Sequence, residues 1–347
     1  LNNDSPKSLW KFDTIAQNEA LINELKGALF EYLVAESLST LCRPECRCEI
    51  APDLRNRLLH YESWLRDHDL GLIVFMPEVA RRVAREISQH LPEQLKGIEV
   101  VGKTAGGSGR RDLQESDVVV HAQESDFFIG LKFCKSGSFV NTKSGGAQTF
   151  LGRYFAVFSE SVKYQQELNA EMERAYLMMG QSLYEEAGLA QGYDFKGHFG
   201  DEWLAAGLPE LPGQLVPKMR ELVLQYYQCA IQSLYTRTLE LAKASPKLFA
   251  ESLYPILGFG ARNLIQAIVF VDSKQGEDKK QYRLNSFKIH TEKDVVAQFG
   301  RMQLAPLQKD ISSFEILLET WRLQIRMKPM NKFTVPGLKV NCSVKYA

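Results

Sequence analysis

Apolar positions recur at helical spacing from about residue 15 to 40, where Leu21, Ile22, Leu25, Leu29, Tyr32, Leu33 and Leu38 mark one stripe. That period predicts a long amphipathic helix, with Pro44 closing its exit. A second helical pattern covers about 53–70. Pro77 suits the first turn of a third helix over 78–91, whose apolar face carries Val79, Val83 and Ile87. The texture changes at Gly97. Residues 98–101 read as a short strand and 116–121 as another by their β-branched content. Residues 127–133 read as the strand returning from a turn at 124–126. A polar loop over 135–146 and a helix over about 147–158 follow.

From 159 to about 257 the pattern is mostly helical, broken at Pro209, Pro212 and Pro217 ahead of a long helix over 218–244. Strand patterns resume at 265–271 and 282–289, and again at 314–327 and 338–346. There is no internal repeat. These texture changes predict three consecutive segments: 1–158, a helical region 159–258, and a β-containing region 259–347.

With 347 residues, 45% of them hydrophobic and 24% charged, the chain excludes a disordered tail, a collagen-like chain and a coiled-coil rod. Lys plus Arg and Asp plus Glu are both 42, so any nucleic-acid partner must be sought in local patches. One such patch is the tail over 320–347. It holds Arg322, Arg326, Lys328, Lys332, Lys339 and Lys345 and no acid, with Trp321, Phe333 and Tyr346 interleaved. Such a tail tracks a nucleic-acid backbone, or it carries the edge lysines that block strand aggregation. No run of about 18 uncharged apolar residues predicts a membrane span. The first residues lack the basic and apolar blocks of a signal peptide, and the leading Leu1 suggests a processed start. Cys42, Cys46 and Cys48 are crowded, but no fourth zinc ligand stands beside them and His60 is a lone imidazole. Free thiols and a cytoplasmic compartment are expected.

The informative stretch is 117–132. Asp117 opens one strand, and the next carries Gly130-Leu131-Lys132. Side chains two apart on a strand share a face, so position 130 and Lys132 point together and the neighbouring strand can bring Asp117 to them. A carboxylate and an ammonium on rigid strands suit metal-assisted hydrolysis, the one holding a hard cation and the other serving the attacking water. Lys103, Arg110 and Arg111 lie in a glycine-rich loop where backbone N–H groups can approach an anion. That loop lacks the Gly-Lys-Ser/Thr ending of a nucleotide-binding loop. Lys135, Ser136, Asn141 and Lys143 offer further phosphate donors, or belong to a solvated loop. No Gly-x-Ser-x-Gly elbow is present, and no local pattern pairs Cys134 with a histidine.

Ser116-Asp117 followed by Lys132 on the adjacent strand resembles the restriction-endonuclease-like, or PD-(D/E)xK, nuclease superfamily. The resemblance spans about residues 20–160. Residues 26–35, with Glu31, resemble its first core helix, and Gln148 stands where several of its families place a glutamine. Gly130 departs from the pattern, which has an acid there. The resemblance implies an α/β fold: a mixed sheet flanked by helices, here with a large helical insertion and a C-terminal β-rich part. It implies a metal-dependent endonuclease acting on DNA, in restriction, antiphage defence or DNA processing. Mg²⁺ or Mn²⁺ would sit on Asp117 and Glu31, with Lys132 positioning the water and Gln148 orienting water or backbone. Glu115 is the alternative acid. Any motor would be a separate ATPase or helicase subunit, and a second copy of the chain is an admissible partner. Two other readings stay open. One is an inactive member of the same fold kept as a nucleic-acid-binding or scaffold subunit. The other is a helical interaction protein in which Asp117 and Lys132 form a surface ion pair.

Overall fold

The computed structural model describes residues 15–42, 46–102, 116–189, 195–260, 263–276, 280–309, 311–330 and 332–346, with only the backbone of 15–20. The chain is mixed α/β and divides into two interleaved units, Leu1–Ser138 with Gly260–Val295, and Phe139–Phe259 with Val296–Ala347. This replaces the three consecutive segments expected from texture. The chain leaves the first unit after one sheet strand and returns to pair beside that same strand, a long-range event that local composition does not record.

The first unit contains helices α1 (Ile15–Leu41), α2 (Pro52–His68) and α3 (Leu70–Ser88). Its strands are β1 (Cys48–Ile50), β2 (Leu95–Val100), β3 (Val118–Ala122) and β4 (Asp126–Lys135), and it resumes with β6 (Leu264–Gln275) and β7 (Lys280–His290). Its sheet has the order β1-β2-β3-β4-β6-β7. β2, β3 and β4 pair antiparallel in succession, and β4 pairs parallel with β6. One face is apolar: Val118, Val120, Ile129, Leu131, Ile265, Ala267 and Val269 share a core with Leu25, Phe30 and Val34 of α1 and Met76, Val83 and Ile87 of α3.

α3 begins at Asp69, whose carboxylate accepts the Leu72 N–H at 3.2 Å, not at Pro77, which lies inside the helix. Proline in a helix interior costs about 3 kcal/mol. The apolar stripe runs through it unbroken, with Leu72, Ile73 and Met76 buried before it and five more after. At roughly 1.5–3 kcal/mol for each large side chain buried, that stripe outweighs the penalty.

The second unit contains β5 (Val140–Gly146), α4 (Phe150–Tyr154), α5 (Ser161–Glu186), α6 (Asp201–Ala205), α7 (Pro217–Ala244) and α8 (Pro246–Ile256). α9 (Glu292–Gln298) bridges the division of the chain, and β8 (Gln303–Leu304), β9 (Ser313–Leu317), β10 (Arg322–Pro329) and β11 (Leu338–Lys345) complete the unit. The sheet order is β5-β11-β10-β9-β8. Two expectations are corrected here. Part of the polar loop over 135–146 is strand β5, paired antiparallel with β11. The strand pattern over 314–327 is two strands, β9 and β10, joined by a turn at 318–321. The helix expected over 147–158 shortens to a 3-10 turn at 147–149 and α4. Among the described residues no helix is long and apolar enough to cross a membrane.

Candidate functional site

Asp117 sits where the ladder between β3 and β4 ends. Its N–H donates to the Ile129 carbonyl at 2.9 Å, and its carbonyl accepts the Val101 N–H at 3.1 Å. The next amide on β4, that of Leu131, donates to Asp117 Oδ2 at 2.7 Å, so a side chain meets it in place of a strand carbonyl. The carboxylate is 2% exposed and held in the gap between two strands.

The core-facing positions of β3, β4 and β6 fix what points the other way. Val118 pairs with Ile129, which sets Asp117 opposite Gly130. Gly130 pairs with Gln266, and Gln266 with His290. Asp117, Gly130, Gln266 and His290 therefore form one row across four strands, on the face away from α1 and α3. Lys132, Ile268 and Lys288 form the next row. Gln266 is buried, and burial pushes the His290 imidazole down to about 4 against the opposing pull of Asp294, so it is neutral near pH 7. A Cβ at Gly130 would meet only Gln266 Cγ, at 3.7 Å, an ordinary contact. The backbone at this position therefore does not itself require glycine.

Lys132 is half-buried and makes no ion pair among the described residues. That removes the reading of Asp117 and Lys132 as a surface ion pair. Glu31 is buried at 4% on α1. α1 covers the apolar face, where Phe30 meets Phe133 with ring centroids 4.9 Å apart. α1, which carries Glu31, lies over the apolar face, while alternation along β4 turns Lys132 to the other face and Asp117 is held in the gap between the strands.

Gln148 is placed elsewhere than expected. It lies in the second unit, exposed on the 3-10 turn after β5, and not on a helix following the Lys132 strand. Gln165 of α5 holds this turn, accepting the Leu151 N–H at 2.7 Å and donating to the Ala147 carbonyl at 3.0 Å. Asn169 donates to the Gln148 carbonyl at 3.1 Å. Gln148 borders a cavity of about 600 Å³ with Asn169, Glu173, Tyr176 and Lys196.

Of the expected phosphate contacts, Lys103, Arg110 and Arg111 lie outside the described residues, as does Glu115. Lys135 ends β4 and lines a cavity of about 400 Å³ with Lys26, Ser273, Lys280 and Tyr282. Burial lowers the Lys26 ammonium pKa, with Lys280 adding to the effect. The Asp272 carboxyl is held below its usual range by the nearby Ser136, by Asn285, which donates to it at 3.0 Å, and by Arg283. Asn141 is exposed on β5. Lys143 sits opposite the buried Cys342, and its Nζ lies 6.0 Å from the Tyr154 ring. Burial raises the Cys134 thiol pKa, against the nearby Lys132 and Lys26, so this sulfur is a poor nucleophile at neutral pH.

Sequence reasoning missed Gln266 and His290. Gln266 carried a signal: it is the one polar side chain in the otherwise apolar run 264–271. His290, at a strand end, carried none. No group of three or more His, Cys, Asp or Glu side chains among the described residues is placed to hold a metal. Comparison with protein-family models, curated proteins and solved structures returns no match.

Proposed function

We propose that the first unit is a restriction-endonuclease-like core that hydrolyses phosphodiester bonds in DNA with the help of a divalent cation, Mg²⁺ or Mn²⁺. The observation that carries this reading is Asp117 at the β3–β4 divergence with the unpaired Lys132 two residues beyond its opposite number, Gly130. The order of α1, three antiparallel strands and a returning strand parallel to the third supports it.

The described donors fit a cation held by one protein carboxylate, waters and substrate phosphate oxygens, which is a common Mg²⁺ arrangement. They do not fit an all-protein cage. Asp117 would hold the cation, with Glu31, buried on the helix that covers this sheet, as the second acid. A bound cation lowers the pKa of its water and offsets charge on the phosphate. Lys132 would orient the attacking water and stabilise negative charge developing on the phosphoryl oxygens. Gln266 sets an amide beside the space left at Gly130. Gln148, in the second unit, has no support from this row as a water-orienting residue.

The test is plasmid cleavage with Mg²⁺, Mn²⁺ or chelator. Asp117→Asn keeps an oxygen for the Leu131 N–H and should fold normally, while losing cleavage by at least about a hundredfold, or roughly 2.7 kcal/mol of barrier. Asp117→Ala should lose the same activity and also destabilise by about 1–3 kcal/mol, because it strands a buried amide. Lys132→Met should fold and not cut. Cleavage at the unmodified rate by Asp117→Asn or Lys132→Met would overturn the reading.

A second reading has its own observation. Gly130 and the commitment of Asp117 Oδ2 to a backbone amide suit a nuclease fold that binds nucleic acid without cutting it. Duplex binding with no cleavage under any divalent cation would select it.

A further inference from the structure

In the second unit, the sheet β5-β11-β10-β9-β8 alternates cleanly. Leu323, Ile325 and Met327 of β10 and Val340, Cys342 and Val344 of β11 are buried. The side chains between them form the opposite, solvent-facing side. Cross-strand register gathers five cations there: Arg322 beside Lys345, Arg326 beside Asn341, and Lys328 beside Lys339. Glu315 of β9 is on the same side and pairs with Arg322, its Oε2 3.2 Å from Arg322 Nε. Among the described residues no acid pairs with Arg326, Lys328, Lys339 or Lys345.

Like charges directly opposite one another on neighbouring strands destabilise a sheet. Lys328 and Lys339 are such a pair, with Arg326 as a third charge. Burial lowers the Lys328 pKa, and Lys339 and Arg326 lower it further. Edge protection does not explain this placement, because β10 and β11 are flanked on both sides by other strands. A polyanion lying on the face removes the repulsion.

We infer that the outer face of this sheet seats the phosphate backbone of duplex DNA. From Arg322 to Lys328 is six residues of strand, about 20 Å, against one duplex charge per roughly 1.7 Å of helix axis. The outward positions of β9, β10 and β11 hold Arg, Lys, Gln, Asn, Ser, Leu317 and Glu315 and no run of aromatic rings on which successive unpaired bases could stack; Phe139, beside β5, lies against Lys345, its ring centroid 6.0 Å from Lys345 Nζ. Single-strand binders depend on such rings, so duplex is favoured and the contacts carry little base information. The identity of the polyanion rests on the nuclease reading, but the face would bind whether or not the first unit cuts.

The experiment uses the full chain with chelator and a labelled random-sequence 30-base-pair DNA duplex, reading affinity from about 50 to 200 mM salt. Each lost phosphate contact reduces the log–log slope by about 0.9. The triple variant Arg326→Gln, Lys328→Gln, Lys339→Gln should flatten the slope by two to three units and weaken binding at least about tenfold. Its Tm should not fall, since a repulsive pair is removed. Lys243→Gln with Lys247→Gln, exposed on the helices of the same unit, should leave the slope unchanged. An unchanged slope in the triple variant, equal losses in the two sets, or binding to phosphatidylserine vesicles without duplex binding would each overturn the inference. Cleavage is scored separately with metal. A flattened slope in a protein that never cuts sinks the nuclease reading and leaves this face standing, while Asp117-dependent cutting with an unaltered slope does the reverse.

Discussion

His290 stands at the end of the polar row that begins with Asp117, and it is held there neutral. Its pKa is pushed from 6.5 down to about 4, first by burial and then by Lys288, with Asp294 pulling the other way. Between those values the unfolded chain binds a proton that the folded chain refuses. Stability is therefore complete above about pH 6.5 and is lost as pH falls towards 4. With the ring partly exposed, the effect expected between pH 7 and 5 is on the order of 1–2 kcal/mol. Urea unfolding of the unmodified chain and of His290→Gln at both pH values isolates this group from the other titrating residues. The variant should lose less stability on acidification, and parallel losses would show that His290 is solvated. The polar members of the row differ in legibility. Asp117 and Lys132 announced themselves by their place around a hairpin whose strands are locally patterned. Gln266 was readable as an interruption of an apolar run. The pairing of β4 with β6 that joins them was not, because register between distant strands leaves no local trace.

At the scale of elements, long periodic segments were legible and close backbone approaches were not. α1, α7, the β3–β4 hairpin and the β6–β7 pair follow from spacing alone, because each carries its apolar stripe within a few turns or strand residues. β5 was hidden because its sequence, Val-Asn-Thr-Lys-Ser-Gly-Gly, has low strand propensity and is held by a strand some two hundred residues away. The start of α3 was hidden behind Pro77. Its first turn packs against the backbone of β7: a Cβ on Gly71 would lie 2.0 Å from the Lys280 carbonyl oxygen. The contact is to main chain, so no rotamer change relieves it. The adjoining cap is fixed as well, Asp69 accepting both the Leu72 N–H and the Tyr282 hydroxyl. Gly71→Ala should therefore cost about 2–4 kcal/mol, at or above the usual range for overpacking. A drop in Tm with retained helical circular dichroism would show α3 displaced from β7. An unchanged Tm would mean that the two elements are farther apart than described.

At the scale of the molecule, net charge hides the arrangement that matters. The chain is neutral, yet the outer positions of β10 and β11 carry five cations against Glu315. The tail looked basic in sequence. Only the fold shows that five of its six cations fall on one side of two central strands, Lys332 pairing instead with Glu210, while the residues between them close the core of the second unit. Val340 is fully buried opposite Gly145 of β5 and Met327 of β10, and its neighbour Asn341 points outward beside Arg326. One step along the chain thus separates folding from binding, and the same charge placed at the two positions distinguishes them. Val340→Asp buries an unpaired carboxylate at the centre of the sheet, at a cost of several kcal/mol. It should abolish the near-UV signal of Trp203 and Trp321, which are both buried in this unit. Asn341→Asp should leave that signal and the Tm almost unchanged, surface substitutions lying within about 0.5 kcal/mol, and should weaken duplex binding by neutralising Arg326. Equal damage from both substitutions would refute the alternation on which the outer face depends. Unaltered binding in Asn341→Asp would place the duplex away from Arg326.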